Sequence, residues 1–271
     1  MSLLFDPHFT LLRDDQSAKL FNIFLVISQA LGGLAILLVA IWMGGYGDGF
    51  SWTEDPEREF HYHPTFMVMG MVFLYGESML VYRVFRSERK KFSKTLHVCL
   101  HSMVLVFMII ALKAVWDSHD LHKDEEGELD PLPNMISLHS WIGLSVVIVF
   151  CSQVCDAHTE IPIYEYKFLK ETLLWTDANL TFASKSNVYK FAMHIILCLL
   201  PVRCWFRDVL RPGCWTKGRE LCGQQAVANL VGVCVFGYAL FVLLLVANPR
   251  WKRRALPEEE SLHQLTTTSH D

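Results

Sequence analysis

What most limits the fold of this chain is a series of apolar runs, each long enough to cross a bilayer. A hydrocarbon core of roughly 30 Å takes about 20 helical residues. Lipid offers no partner to a free backbone group, so each run has to be a helix if it spans. Runs of this kind extend from Leu20 to Met43, Pro64 to Val81, Leu96 to Trp116, Ile136 to Cys155 and Ala226 to Ala247. A shorter one, Val188 to Val202, carries Lys190 and ends at Pro201. With that weak fifth segment counted, the expected fold is all-α: an integral membrane bundle of six transmembrane helices. The expected organisation is a cytosolic segment 1–19, a transmembrane domain 20–250 and a polar cytosolic tail 251–271. Composition agrees, with 52% hydrophobic and 19% charged residues, where soluble domains carry about a quarter charged. The start, MSLLFDPHFTLLRDD, lacks the basic opening and small-residue cleavage site of a signal peptide, so insertion is expected to depend on the first span. No basic face points to nucleic acid.

The loops set a direction. Arg83, Arg86, Arg89, Lys90, Lys91 and Lys94 lie between the second and third runs, with Glu88 as the acid among them. Lys and Arg collect on the cytosolic side, so this loop is cytosolic. The first and third loops, around Asp48–Glu59 and Asp117–Asp130, are acidic and poor in Lys and Arg. They belong outside or in a lumen. The Trp251-Lys252-Arg253-Arg254 string after the last run puts the tail in the cytosol, which requires the fifth segment to span. One loop runs against this scheme. Arg203, Arg207, Arg211, Lys217 and Arg219 fall on the lumenal side, and no physical reason for that is evident.

Eight cysteines are present, most in apolar runs, where a thiol acts as a small hydrophobe. Cys151 and Cys155 do not have zinc-ribbon spacing, and Cys214 and Cys222 share a loop that permits a disulfide if it is lumenal. Histidines are more telling, because ionisable groups at membrane depth are costly and usually functional. His63 and His139 each open a run from the lumenal side, so they lie at one level. His97 opens a run from the cytosolic side, and His194 lies inside the fifth segment, which starts from that side too. The result is two histidine pairs, one near each leaflet. Neutral imidazole suits iron, and an iron porphyrin takes one axial ligand on each face. Two such groups stacked along the membrane normal would make an electron path through an insulating layer. His101 follows His97 by one turn on the same face, and spacing alone does not choose between them.

The strings around these histidines resemble the cytochrome b561 family of ascorbate-dependent transmembrane reductases. They are His63-Pro64 after an aromatic residue, Ser78-Met-Leu-Val-Tyr-Arg-Val-Phe-Arg86, Lys94-x-x-His97 and Ser137-Leu-His-Ser-Trp141. The likeness covers roughly 38–152, plus the last span and its Trp-Lys-Arg. It implies a central four-helix core binding two haem b groups, held by His63 with His139 and by His97, rather than His101, with a fifth-helix histidine, here His194. It implies an oxidoreductase that passes electrons from cytosolic ascorbate to a lumenal or extracellular acceptor, ferric iron or monodehydroascorbate. Lys90 and Lys94, with Arg83 and Arg86 nearby, match the family's ascorbate site, and His119 and Asn134 lie near its acceptor site. A vesicle, endosomal-lysosomal or plasma membrane and a homodimer are further expectations of the resemblance. The chain departs from the family between Cys155 and about Leu221, where no family pattern is found. The alternative expectation is therefore a one-haem or non-enzymatic relative with an altered fifth helix.

Overall fold

A computed structural model describes residues 14–52, 54–163 and 219–253. The first helix, α1 (Asp14–Ile41), carries Asp14 and Asp15 in its first turn, and carboxylates suit the positive end of a helix dipole. It runs on through a π-type turn, Trp42–Tyr46. A short helix, α2 (Pro56–Glu59), is opened by the Asp55 carboxylate, which accepts from the Arg58 amide at 3.3 Å, with proline at the first turn. Then α3 (Tyr62–Phe66), a π-type segment (Met67–Leu74) and α4 (Tyr75–Val84) follow with right-handed helical junctions, so 62–84 is one rod. The remaining helices are α5 (Lys90–Asp120), α6 (Leu138–Ile163) and α7 (Arg219–Ala247), the last followed by a 3-10 turn, Pro249–Trp251.

Among the described residues, four helical stretches are long and apolar enough to cross a bilayer: Asp14–Tyr46, Pro56–Val84, Lys90–Asp120 and Gly223–Ala247. A shorter apolar helix covers Leu138–Val154. This is an all-α membrane bundle, with one isolated bridge, Lys123 to Leu129, as the β-structure among the described residues. The fifth segment with Lys190 and His194, the Cys214–Cys222 pairing and the tail beyond Arg253 lie outside the described residues.

The outer helices α1 and α7 pack through Ala35, Leu38, Val39 and Met43 against Val231, Cys234 and Val235. Small residues on such faces let membrane helices approach closely. The main core joins Met71, Tyr75 and Leu80 of the second rod to Val104 and Met108 of α5, Phe150 of α6 and Tyr238, Val242 and Leu245 of α7. Outward faces carry Val26, Leu37, Val106, Ile109, Val233 and Phe236, all exposed, as lipid contact demands. The basic end is tied together. Arg83 donates to the carbonyls of Val246 and Asn248, serving the orphan acceptors at the end of α7. The Trp251 indole donates to Ser17 Oγ at 3.1 Å, and Arg253 donates to the Glu88 carbonyl at 2.9 Å.

Candidate functional site

Two histidines expected at one level meet. His63, in α3, and His139, in the first turn of α6, have ring centres 6.1 Å apart with ring planes at 82°. His63 Nδ1 lies 3.1 Å from the Ala111 carbonyl of α5. A carbonyl accepts only, so the proton sits on Nδ1 and the Nε2 lone pair is left for a metal, the arrangement that second-shell partners impose on ligating imidazoles. Metal–imidazole bonds of about 2 Å on either side of one ion, each followed by a ring radius of about 1 Å, put ring centres roughly 6 Å apart. The observed spacing fits one iron held between two imidazoles. Phe60 stacks on His63 at 5.9 Å and 25°. Close packing beneath this level depends on Gly70, where an added Cβ would come within 3.0 Å of Phe107 Cβ.

At the other level, His97 of α5 has Nδ1 2.7 Å from the Ser78 carbonyl of α4. The same logic leaves its Nε2 free. His101 differs: its Nε2 lies 3.1 Å from Ser78 Oγ, and its Nδ1 is buried with no hydrogen-bond partner among the described residues. The two rings are 4.4 Å apart at 71°. Tyr82 flanks His97 at 5.3 Å, while Tyr75 and Phe150 flank His101 at 5.4 and 5.7 Å. The expected partner, His194, is outside the described residues.

The four cations expected to bind an anion take different places. Lys90 and Lys94 are exposed, one turn apart at the start of α5. Arg86 lies over the Phe21 ring at 5.0 Å, and Arg83 turns to the end of α7 as described. At the acidic end, His119 Nδ1 is 2.8 Å from Asn134 Oδ1, and Asn134 Nδ2 donates to Asp120 at 2.9 Å. The Leu132 amide donates to the His119 carbonyl at 2.9 Å. Met135, beside Asn134, has φ 60°, a left-handed conformation uncommon outside glycine and found where a loop is held against local preference. Residue types alone did not single out Ala111, Ser78 or Met135, since a backbone carbonyl or a dihedral leaves no mark on side-chain chemistry.

Comparison with known proteins bears on the family of this chain. The profile of the family described as "Eukaryotic cytochrome b561" matches residues 62–162. A Caenorhabditis elegans protein named as a transmembrane ascorbate-dependent reductase CYB561 homolog is 55% identical over 268 residues, 99% of this chain and 98% of its own. The transmembrane ascorbate-dependent reductase CYB561 of Ovis aries is 29% identical over 88% of this chain and 87% of its own. The plasma membrane ascorbate-dependent reductase CYBRD1 of Xenopus laevis is 30% identical over 92% and 82%.

Proposed function

The chain belongs to the eukaryotic cytochrome b561 family, and from that membership we propose that it is an ascorbate-dependent transmembrane oxidoreductase. It carries electrons from cytosolic ascorbate, through two haem b groups, to ferric iron or monodehydroascorbate on the opposite side. The observation that supports this most is the facing pair His63 and His139 at 6.1 Å, with His63 locked to one tautomer by Ala111. When bound, haem supplies a one-electron iron couple, and the protein contributes binding, orientation and electrostatics.

Each residue then has a defined task. His63 and His139, from two helices, would hold one haem, and a haem held by two imidazoles would serve electron transfer rather than dioxygen binding. His97, through Nε2, would hold the second haem, with His194 as its expected partner. Lys90 and Lys94, exposed at the cytosolic mouth, attract the ascorbate anion. Ascorbate gives up one electron and one proton, and the proton passes to cytosolic water. At the opposite mouth the His119–Asn134 pair receives the acceptor. The Asn134 amide donates to Asp120, which turns its oxygen toward His119 and sets the imidazole proton. The membrane is that of a vesicle, an endosome or lysosome, or the cell surface, and the working unit is a homodimer.

The test is a reduced-minus-oxidised spectrum and a haem count on purified protein, with ascorbate as reductant. Two low-spin b-type haems per chain, both reducible by ascorbate, are expected. No b-type signal after haem supplementation sinks the reading, and one haem per chain reduces it to a broken path.

A further inference from the structure

A carboxyl sits inside the second rod, just past its π-type segment, with no cation paired to it among the described residues. Glu77 Oε1 accepts from Gln29 Nε2 of α1 at 2.7 Å and lies 3.1 Å from the Tyr238 hydroxyl of α7. That hydroxyl also lies 2.8 Å from the Phe73 carbonyl, inside the π-type segment. A phenol has one hydrogen to give. It is shared between the Phe73 carbonyl and Glu77 Oε1, both of which accept from the phenol. Glu77 Oε1 thus accepts from both outer spans, from Gln29 of α1 and Tyr238 of α7, and Tyr238 also donates to the Phe73 carbonyl.

Phe73 is where the rod most needs a fixed register. In the π-type segment the Tyr75 amide donates to the Gly70 carbonyl five residues back, so the rod is widened there and everything after it is rotated relative to a plain α-helix. Just beyond lies Ser78, whose carbonyl holds His97 Nδ1 at 2.7 Å. His63 lies before the widened segment and takes its bond from Ala111 of α5 instead. The contact is also sterically closed. A Cβ on Gly32 would fall 2.5 Å from Phe73 Cδ2, and one on Gly76 would overlap the Tyr238 ring.

We propose that the Gln29–Glu77–Tyr238 chain lets the two outer spans, α1 and α7, set the rotation of the second rod and so aim the His97 ligand, making Glu77 and Tyr238 positioning residues for the cytosolic haem alone. The proposal rests on the di-haem reading above. Its test is electron paramagnetic resonance and a redox titration of purified protein, with each signal assigned by its loss in His139→Ala or His97→Ala.

Tyr238→Phe keeps the ring but removes the hydrogen. It is expected to displace the His97-side low-spin signal and to change that haem's reduced-to-oxidised ratio at fixed solution potential at least threefold, leaving the His63–His139 haem unmoved. Glu77→Leu should do the same, and Glu77→Gln, whose amide oxygen can accept from Gln29 and Tyr238 as Oε1 does, should restore the wild-type signal. If Tyr238→Phe does not fold, the Glu77→Leu and Glu77→Gln pair carries the test. Both haems shifting together, neither shifting, or Glu77→Gln behaving like Glu77→Leu overturns the proposal. Absence of a His97-side haem in the wild type overturns the di-haem reading and this inference with it, while intact wild-type signals that the variants leave unchanged overturn this inference only.

Discussion

The two histidine levels use one device in opposite senses. Near the acidic loops the second rod supplies the ligand, His63, and α5 supplies the carbonyl that orients it, Ala111. Near the basic loop α5 supplies the ligand, His97, and the second rod supplies the carbonyl, Ser78. Each helix thus positions a ligand and is positioned by its neighbour's backbone. The levels differ in what completes them. His139 stands opposite His63 within the described helices. Beside His97, the histidine among the described residues is His101, whose Nε2 is taken by Ser78 Oγ. One level is closed by the rod, α5 and α6, and on the proposed reading the other is completed by His194, outside the described residues.

The largest effects should come from cutting either level. His139→Ala and His97→Ala are each expected to lower the haem count from two to one per chain, read by pyridine haemochrome. Transmembrane electron transfer, read as reduction of an acceptor sealed on the far side of a vesicle, should fall about a hundredfold or more in both. The comparison sharpens with His194→Ala. If the fifth span completes the cytosolic level, this variant should match His97→Ala in haem count and spectrum. Two intact haems in His194→Ala would mean that another residue stands opposite His97, and the symmetry between levels would break.

A smaller effect is expected at the acidic end, the proposed lumenal mouth. Asn134→Ala leaves His119 Nδ1 without its partner and frees Asp120. Losing a hydrogen bond to a part-buried group costs about 1–3 kcal/mol, so acceptor reduction should slow roughly tenfold. The rate at which ascorbate reduces the protein should not change, and stopped-flow absorbance separates the two steps. Equal slowing of both would place Asn134 in overall folding rather than at the acceptor.

Much of this arrangement is legible in the residues themselves. Apolar run length marks the helices, and the depth of His63 and His139 along their runs puts them at one level, because rise per residue is fixed in a helix. Boundaries are less legible. The helix starting at Lys90 extends beyond the Leu96–Trp116 apolar run, since a helix continues into water wherever nothing stops it. Arg83 illustrates a deeper limit. Its place in a basic loop suggests an anion site, yet its guanidinium serves the carbonyls of Val246 and Asn248, a contact between residues far apart in the chain. The widened segment Met67–Leu74 is equally hidden, for no residue in MVMGMVFL marks a π turn, and the hydroxyl that meets it comes from Tyr238 on another helix.

The smallest effect should fall on the two exposed lysines, and it bears on whether the cytosolic level has an entrance of its own. Lys90 and Lys94 share one face at the start of α5. The dipole places positive charge at that same end, which disfavours lysine there on helix stability alone. Neutralising both therefore should not weaken the helix. Exposed charges act weakly and are screened by salt, so Lys94→Ala should raise the KM for ascorbate about two- to fivefold, and the double Lys90→Ala, Lys94→Ala variant about tenfold, with kcat nearly unchanged. The difference from wild type should shrink as ionic strength rises from about 0.01 to 0.5 M, because the Debye length falls below the span of the cluster. Arg83→Ala offers the contrast. It should loosen the end of α7 and lower the melting temperature while leaving the salt dependence of KM as in the wild type. A lysine variant whose KM is unchanged at low salt would make the cluster a topology signal and nothing more, and the ascorbate entrance would have to be sought elsewhere on the cytosolic face.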